Sequence, residues 1–231
     1  MKDDLSPPAT PVRALIFDFD GLILDTEVPI YEAWRENYQA HGHDLPLELY
    51  VGCVGSDFGR FDPKLHLESL TGERLDWDHW DELREIRALE RVNALAEPMP
   101  GVRRLLDEAA AAGLPCVVAS SSPRSWVETH LERIGLRGAF RFTRCIDDVA
   151  RPKPAPDLFL AAAAGLGVAP AEALVFEDSL NGLLAAREAG IRCVNVPNPV
   201  TAHLDFSGAA LVLDSLENVG LAEILDAVSG V

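Results

Sequence analysis

Two carboxylates stand two residues apart in the run Asp18-Phe19-Asp20-Gly21-Leu22-Ile23-Leu24-Asp25-Thr26. They directly follow Ala14-Leu15-Ile16-Phe17, an apolar run that reads as a buried strand. Side chains two apart on an extended segment project to one side, and Gly21 permits a sharp turn just beyond them. Two acids held close together need a cation or a shared proton, because like charges disfavour joint ionisation. The pair therefore suits a hard, oxygen-preferring ion such as Mg²⁺. In isolation, an Asp-x-Asp is equally compatible with an acidic turn of no chemical import.

Three further groups could share that chemistry. Glu177-Asp178 follows the apolar run Leu174-Val175-Phe176 and could complete an oxygen-rich metal site. Taken alone, it is explained more simply by Asp178 or Ser179 capping the next helix. Lys153 lies between Pro152 and Pro154, where the chain is extended and stiff. A lysine held there is a preorganised point charge, able to offset repulsion between phosphate and carboxylate, although a solvated turn lysine is the commoner case. Ser120 ends the apolar run Cys116-Val117-Val118-Ala119, and its hydroxyl with the next amides could hold phosphate oxygens. Helix capping is the alternative for Ser120. Ser122 before Pro123, and Ser125-Trp126-Val127-Glu128 with capping-box spacing, are placed to take that job.

The elements that must position these residues alternate between short apolar runs and helical patterns. That order predicts an α/β fold, a Rossmann-like doubly wound parallel sheet with ligands at the carboxyl ends of its strands. Strands are expected at 14–17, 116–119, 174–176 and 193–196, with weaker candidates at 140–145 and 211–213. Helices are expected at 102–112, 124–134, 156–166 and 183–189, each ending near a glycine. Residues 28–97 differ: they hold Trp34, Trp77 and Trp80 and helical patterns at 30–40, 63–70 and 77–95, without a convincing buried strand. They read as an all-helical cap inserted between the first two core strands. The expected division is a core of residues 11–27 and 98–231, a cap of 28–97 and a flexible tail of 1–10.

Composition narrows the function classes. The 231 residues carry 20 Lys+Arg against 37 Asp+Glu, a formal charge of −17. Such a surface repels nucleic-acid backbones and, at long range, any anionic substrate. Phosphate chemistry would thus depend on a local cation, either a metal ion or a few placed Lys or Arg. Cys53, Cys116, Cys145 and Cys193 form no Cys-x-x-Cys pair and read as reduced thiols in a cytoplasmic protein. No apolar core of a secretory signal stands near the start. The long weakly charged stretch 158–176 is broken by Gly165, Gly167, Pro170 and Glu172, so no membrane span is expected.

Together, Asp18-x-Asp20-Gly21, Ser120, Lys153 and Glu177-Asp178 resemble, in order, the four motifs of the haloacid dehalogenase superfamily. Lys153-Pro154-Ala155-Pro156-Asp157 and Phe176-Glu177-Asp178-Ser179 resemble its beta-phosphoglucomutase and phosphoglycolate-phosphatase-like branch, in which a helical cap follows the first strand. The resemblance implies a Mg²⁺-dependent phosphatase acting on a small phosphorylated metabolite, as a monomer. Asp18 would attack phosphorus and form an aspartyl-phosphate, and Asp20 would serve as general acid and base. Mg²⁺ would sit on the Asp18 carboxylate, the Asp20 main-chain carbonyl and Asp178, with Glu177 as a ligand or just behind. Ser120 and Lys153 would steady the transferring group. The halide-releasing members do not resemble this chain at Asp20 or at the metal pair.

Hexose-phosphate mutases of that branch usually carry a histidine five residues after the aspartate that stands here as Asp25, and Ile30 occupies that place. They also tend to place an arginine after a turn in the cap. The corresponding Gly52-Cys53-Val54-Gly55-Ser56-Asp57-Phe58 offers acid and aromatic instead. These departures favour hydrolysis over mutation, with Arg60, Lys64, Arg84 or Arg87 as alternative sources of cap charge. His41-Gly42-His43 reads as the solvated end of a cap helix, and the cap tryptophans as packing. A non-catalytic regulatory protein of the same fold would have lost Asp18 or Asp20, and both are present.

Overall fold

A computed structural model describes residues 10–54 and 61–229. The expected tail, Thr10 apart, lies outside the described residues, as do Gly55-Ser56-Asp57-Phe58 and Arg60. Three short runs, β1 (Ala14–Phe17), β2 (Cys116–Ala119) and β4 (Ala173–Glu177), are buried at every residue. A parallel strand covered on both faces shows a continuous apolar run rather than alternation, which explains these sequences. With β3 (Thr143–Arg144), β5 (Arg192–Asn195) and β6 (Leu211–Val212) they form one parallel sheet in the order β3-β2-β1-β4-β5-β6.

Strand order reverses at β1, which pairs Phe17 with Val118 on one side and with Phe176 on the other. The carboxyl ends of β1, β2 and β4 therefore open onto one crevice at the topological switch point. Alternate strand residues point to opposite faces. Leu15, Phe17, Val118, Phe176 and Val194 pack under α5 (Val102–Ala111), α6 (Arg124–Arg133) and α9 (Leu221–Ser229). Ile16, Val117, Ala119, Val175 and Cys193 pack under α7 (Asp157–Leu166) and α8 (Leu180–Glu188). Phe17 stacks on Phe176 with centroids 4.8 Å apart, directly below the crevice.

Between β1 and α5 the chain leaves the sheet and forms α1 (Glu27–Ala40), α2 (Leu47–Tyr50), α3 (Pro63–Thr71) and α4 (Trp77–Ala94). Trp34, Tyr38, Leu45, Tyr50, Val54 and Leu67 make a second apolar cluster, completed by Val200 from the loop after β5. Asn181 of α8 donates its Nδ2 to the Val54 carbonyl at 2.7 Å, tying the helical insert to the sheet unit.

Several elements differ from expectation. α1 starts at Glu27 rather than residue 30, with Asp25 Oδ1 accepting from the Val28 amide at 3.3 Å. α8 starts at Leu180 rather than 183, because the Ser179 hydroxyl caps it by accepting from the Gly182 amide at 3.1 Å. The expected strand 140–145 shrinks to Thr143–Arg144, between 3₁₀ turns over Arg137–Ala139 and Ile146–Asp148, although the Arg141 amide already bonds the Cys116 carbonyl at 2.9 Å. α9 was not anticipated.

Candidate active site

Asp18 is the first residue past β1, its amide bonded to the Phe176 carbonyl at 2.9 Å. Lys153, from the loop before α7, is 2% exposed. Its ammonium donates to Asp18 Oδ1 and, at 2.6 Å, to Glu177 Oε1. The ammonium also lies 4.7 Å from the centroid of Phe159. Glu177 ends β4 and turns its other oxygen back on its own loop. Oε2 accepts from the amides of Asp178 and Ser179 at 2.9 Å each and from the Ser179 hydroxyl at 3.0 Å. Gly182 makes room for this carboxylate: a Cβ there would come within 1.8 Å of it.

Asp178 Oδ2 accepts from Asn198 Nδ2 at 2.6 Å. Gly21, at φ +76°, passes directly beneath: a Cβ there would lie 2.3 Å from Asp178 Oδ2. Only glycine meets both demands, the left-handed turn and the close approach. Asp18, Glu177 and Asp178 thus each offer an oxygen within 4.8 Å of the others, all buried.

Asp20 is treated differently. Its Oδ1 accepts from the Thr26 hydroxyl at 2.8 Å and from Trp126 Nε1 at 2.9 Å. Its Oδ2 accepts from the Ser122 hydroxyl at 2.6 Å and the Ser120 hydroxyl at 3.3 Å. The two aspartates of the Asp-x-Asp pair therefore serve different partners: Asp18 faces a cation, Asp20 a ring of neutral donors. The expectation that Ser122 or Ser125 caps the following helix does not hold. α6 starts at Arg124 without a serine cap, and Asp147 Oδ2 accepts from the Arg124 amide at 2.8 Å instead. That leaves the Ser122 hydroxyl free for Asp20.

Burial pushes the Asp18 carboxyl up to about 8 against the pull of Lys153, with Glu177 and Asp20 adding to the rise. Burial, then the charges of Glu177 and Asp18, raise Asp178 well above the usual carboxylate range. Burial alone would lower Lys153, but Asp18 and Glu177 more than offset it and raise the ammonium overall. One lysine cannot neutralise three buried acids. The all-oxygen donor set and the surplus of negative charge fit a hard divalent cation between Asp18 and Asp178.

Asp18, Asp20, Ser120, Lys153, Glu177 and Asp178 all line one cavity of about 330 Å³. Its opposite wall comes from the helical insert: Glu27, Ile30, Trp34, Tyr50, Val54 and Arg84. Of the three described cap cations weighed from the sequence, Arg84 is the one that lines this cavity. Its guanidinium lies 4.6 Å from the Trp34 ring centroid and 3.2 Å from Glu85, while Lys64 pairs with Asp81 and Arg87 with Glu36. Sequence reasoning missed Thr26, Glu27, Ser122, Trp126 and Asn198. Thr26 and Glu27 were visible only as neighbours of the acidic motif. Nothing local marks Trp126 or Asn198.

A family model for haloacid dehalogenase-like hydrolases matches residues 12–190. The chain belongs to that family. Among its curated relatives is "Putative phosphatase YhcW" of Bacillus subtilis (strain 168), 44% identical over 215 residues, covering 93% of this chain and 97% of the relative. Another is "Probable pseudouridine-5'-phosphatase" of Drosophila melanogaster, 35% identical over 230 residues and covering 93% and 96%. Among solved structures, CbbY from Rhodobacter sphaeroides in complex with phosphate superposes with a TM-score of 0.72 at 31% identity, covering 93% of this chain and 99% of that one. This haloacid dehalogenase-like hydrolase is accordingly a phosphoric monoester hydrolase.

Proposed function

We propose that this chain is a Mg²⁺-dependent phosphatase that hydrolyses a small phosphorylated metabolite through an aspartyl-phosphate on Asp18. The observation that carries the reading is the bridging of Asp18 and Glu177 by the buried Lys153, beside Asp178 and on the floor of the cavity. Lys153 holds one oxygen of Asp18, which orients the carboxylate for in-line attack at phosphorus. Asp20 supplies a proton to the departing alkoxide and then takes one from the attacking water. The Ser120 hydroxyl and the Lys153 ammonium hold the phosphoryl oxygens. Asp18, Asp178 and the Asp20 carbonyl would hold Mg²⁺, whose charge would neutralise that of the phosphoryl group. Glu177, its oxygens already engaged by Lys153 and the turn, supports the site from behind. CbbY binding phosphate in the same fold is consistent with a phosphoryl group in this crevice.

The proposal extends to a core of residues 11–27 and 98–231 and a cap of 28–97, acting as a monomer in the cytoplasm. Among the described residues no helix is long and apolar enough to cross a membrane. The net charge of −17 argues against a nucleic-acid partner. The mutase alternative needs a second phosphate clamp. Ile30 lines the cavity where the resemblance would place a histidine, and the Arg84 guanidinium already faces Glu85.

The test is a screen of small monophosphates with Mg²⁺, alongside Asp18→Asn. Free phosphate should be released, turnover should not respond to added sugar bisphosphate, and the folded variant should be inactive. Bisphosphate-primed interconversion of hexose phosphate isomers with little free phosphate would establish the mutase instead.

A further inference from the structure

We propose that Trp126 is a positioning residue: by holding Asp20 Oδ1 as an acceptor, it makes Oδ2 the oxygen that hands over the proton. The inference rests on the phosphatase reading for the role of Asp20 and goes beyond it to a residue outside the four motifs.

The four groups around Asp20 are not equivalent. Thr26, Ser120 and Ser122 present hydroxyls, which can donate or accept as the proton rotates. The indole N–H of Trp126 can only donate. It reaches Oδ1 at 2.9 Å, and protonating that oxygen would make it a poorer acceptor for a donor that cannot turn round. Oδ2 carries no such restriction. The Ser122 hydroxyl, 2.6 Å away, can donate to the carboxylate and accept from the acid.

The indole is itself held in place. Its ring meets His130 edge-on with centroids 4.3 Å apart, and His130 stacks in parallel on Phe19, the residue between the two aspartates. Arg133 Nε donates to His130 Nδ1 at 3.2 Å, and the same guanidinium donates to the Val92 carbonyl at 3.0 Å. With Nδ1 accepting, a neutral His130 carries its proton on Nε2. Trp126 is thus wedged between a fixed imidazole and Asp20, so its N–H is aimed by packing.

In the first step an Asp18 oxygen bonds to phosphorus, and the ester P–O bond breaks with its electron pair going to the leaving oxygen. The proton on Asp20 Oδ2 passes to that oxygen, leaving Asp20 a carboxylate with Oδ1 still on Trp126. In the second step water attacks phosphorus, its proton goes to Oδ2, and the bond to Asp18 breaks.

The experiment replaces Trp126 with phenylalanine and, separately, with benzothienylalanine, which keeps the indole shape but lacks the N–H. Each is assayed with Mg²⁺ on an alkyl phosphate and on 4-nitrophenyl phosphate, whose leaving group departs as a stable anion and needs no proton. Loss of a hydrogen bond to a charged group predicts a fall in kcat/KM on the alkyl ester of about tenfold or more. kcat/KM on the aryl ester, which reports only the steps through departure of the leaving group, should stay close to wild type. Equal loss on both esters, or no loss on either, overturns the inference. If the phenylalanine variant does not fold, the benzothienylalanine protein decides. A wild-type enzyme inactive on both esters would overturn the phosphatase reading itself, and this inference with it.

Discussion

Lys153 Nζ lies 2.6 Å from Glu177 Oε1 and donates from the same ammonium to Asp18, so one buried cation joins the ends of β1 and β4. Removing one partner of a buried pair leaves a charge without compensation, which costs about 3–5 kcal/mol. Lys153→Ala should therefore lower stability by roughly that amount in urea unfolding, and abolish turnover, because Asp18 and Glu177 lose their shared cation. A loss below about 1 kcal/mol would show that the pair is solvated rather than buried.

The metal-free protein should lose stability as pH rises. Burial pushes Asp18 and Glu27 up to about 8 in the folded chain, above their unfolded values. The native state then holds more protons than the unfolded chain across the interval between those values. Stability therefore falls as pH rises through it. Thermal unfolding in EDTA should show Tm decreasing from pH 5 to pH 8, and Mg²⁺ should restore most of the loss at pH 8. A Tm that rises with pH in EDTA would contradict the assigned burial.

Gly182→Ala sets helix propensity against close packing. Alanine is favoured over glycine inside a helix by about 1 kcal/mol. At this position the added Cβ would come within 1.8 Å of the Glu177 carboxylate. The clash should win, with Tm falling and activity dropping as Glu177 is displaced from Lys153. An increase in Tm with full activity would refute the close approach.

Asp178→Ala should weaken Mg²⁺ binding by titration calorimetry and raise the Mg²⁺ concentration needed for activity, since it removes one of three clustered oxygen donors. In the wild-type enzyme Ca²⁺ should inhibit, because it accepts more ligands and can draw both Asp18 oxygens into its shell, away from attack. An unchanged Mg²⁺ requirement in the variant would remove Asp178 from the site.

Much of the fold was legible because the signals are local. Residues 14–17 and 173–176 are apolar throughout because they belong to central parallel strands, and glycines just past α5, α6, α7 and α8 mark where those helices end. The missed α9 buries Leu221, Ile224 and Val228 in the core, and it is preceded directly by Gly220 rather than by a Ser, Thr, Asp or Asn at the cap position. The Ser122 capping expectation failed for a related reason. A serine before Pro123 meets every local rule for a cap, and only Asp147, brought in from beyond β2, takes the job from it.

The sequence by itself determined which residues could do chemistry, since Asp18, Asp20, Ser120, Lys153, Glu177 and Asp178 each stand beside a recognisable strand end or proline turn. Only the tertiary structure decided what each carboxylate touches. Asp18 and Asp20 differ by two positions, yet one meets Lys153 across 135 residues and the other meets Trp126 across 106. Hydrogen bonds reach about 3 Å and are set by where folded segments converge. No local pattern encodes that convergence, so the roles of two neighbouring aspartates separate only when the sheet brings β1, β2 and β4 to one edge.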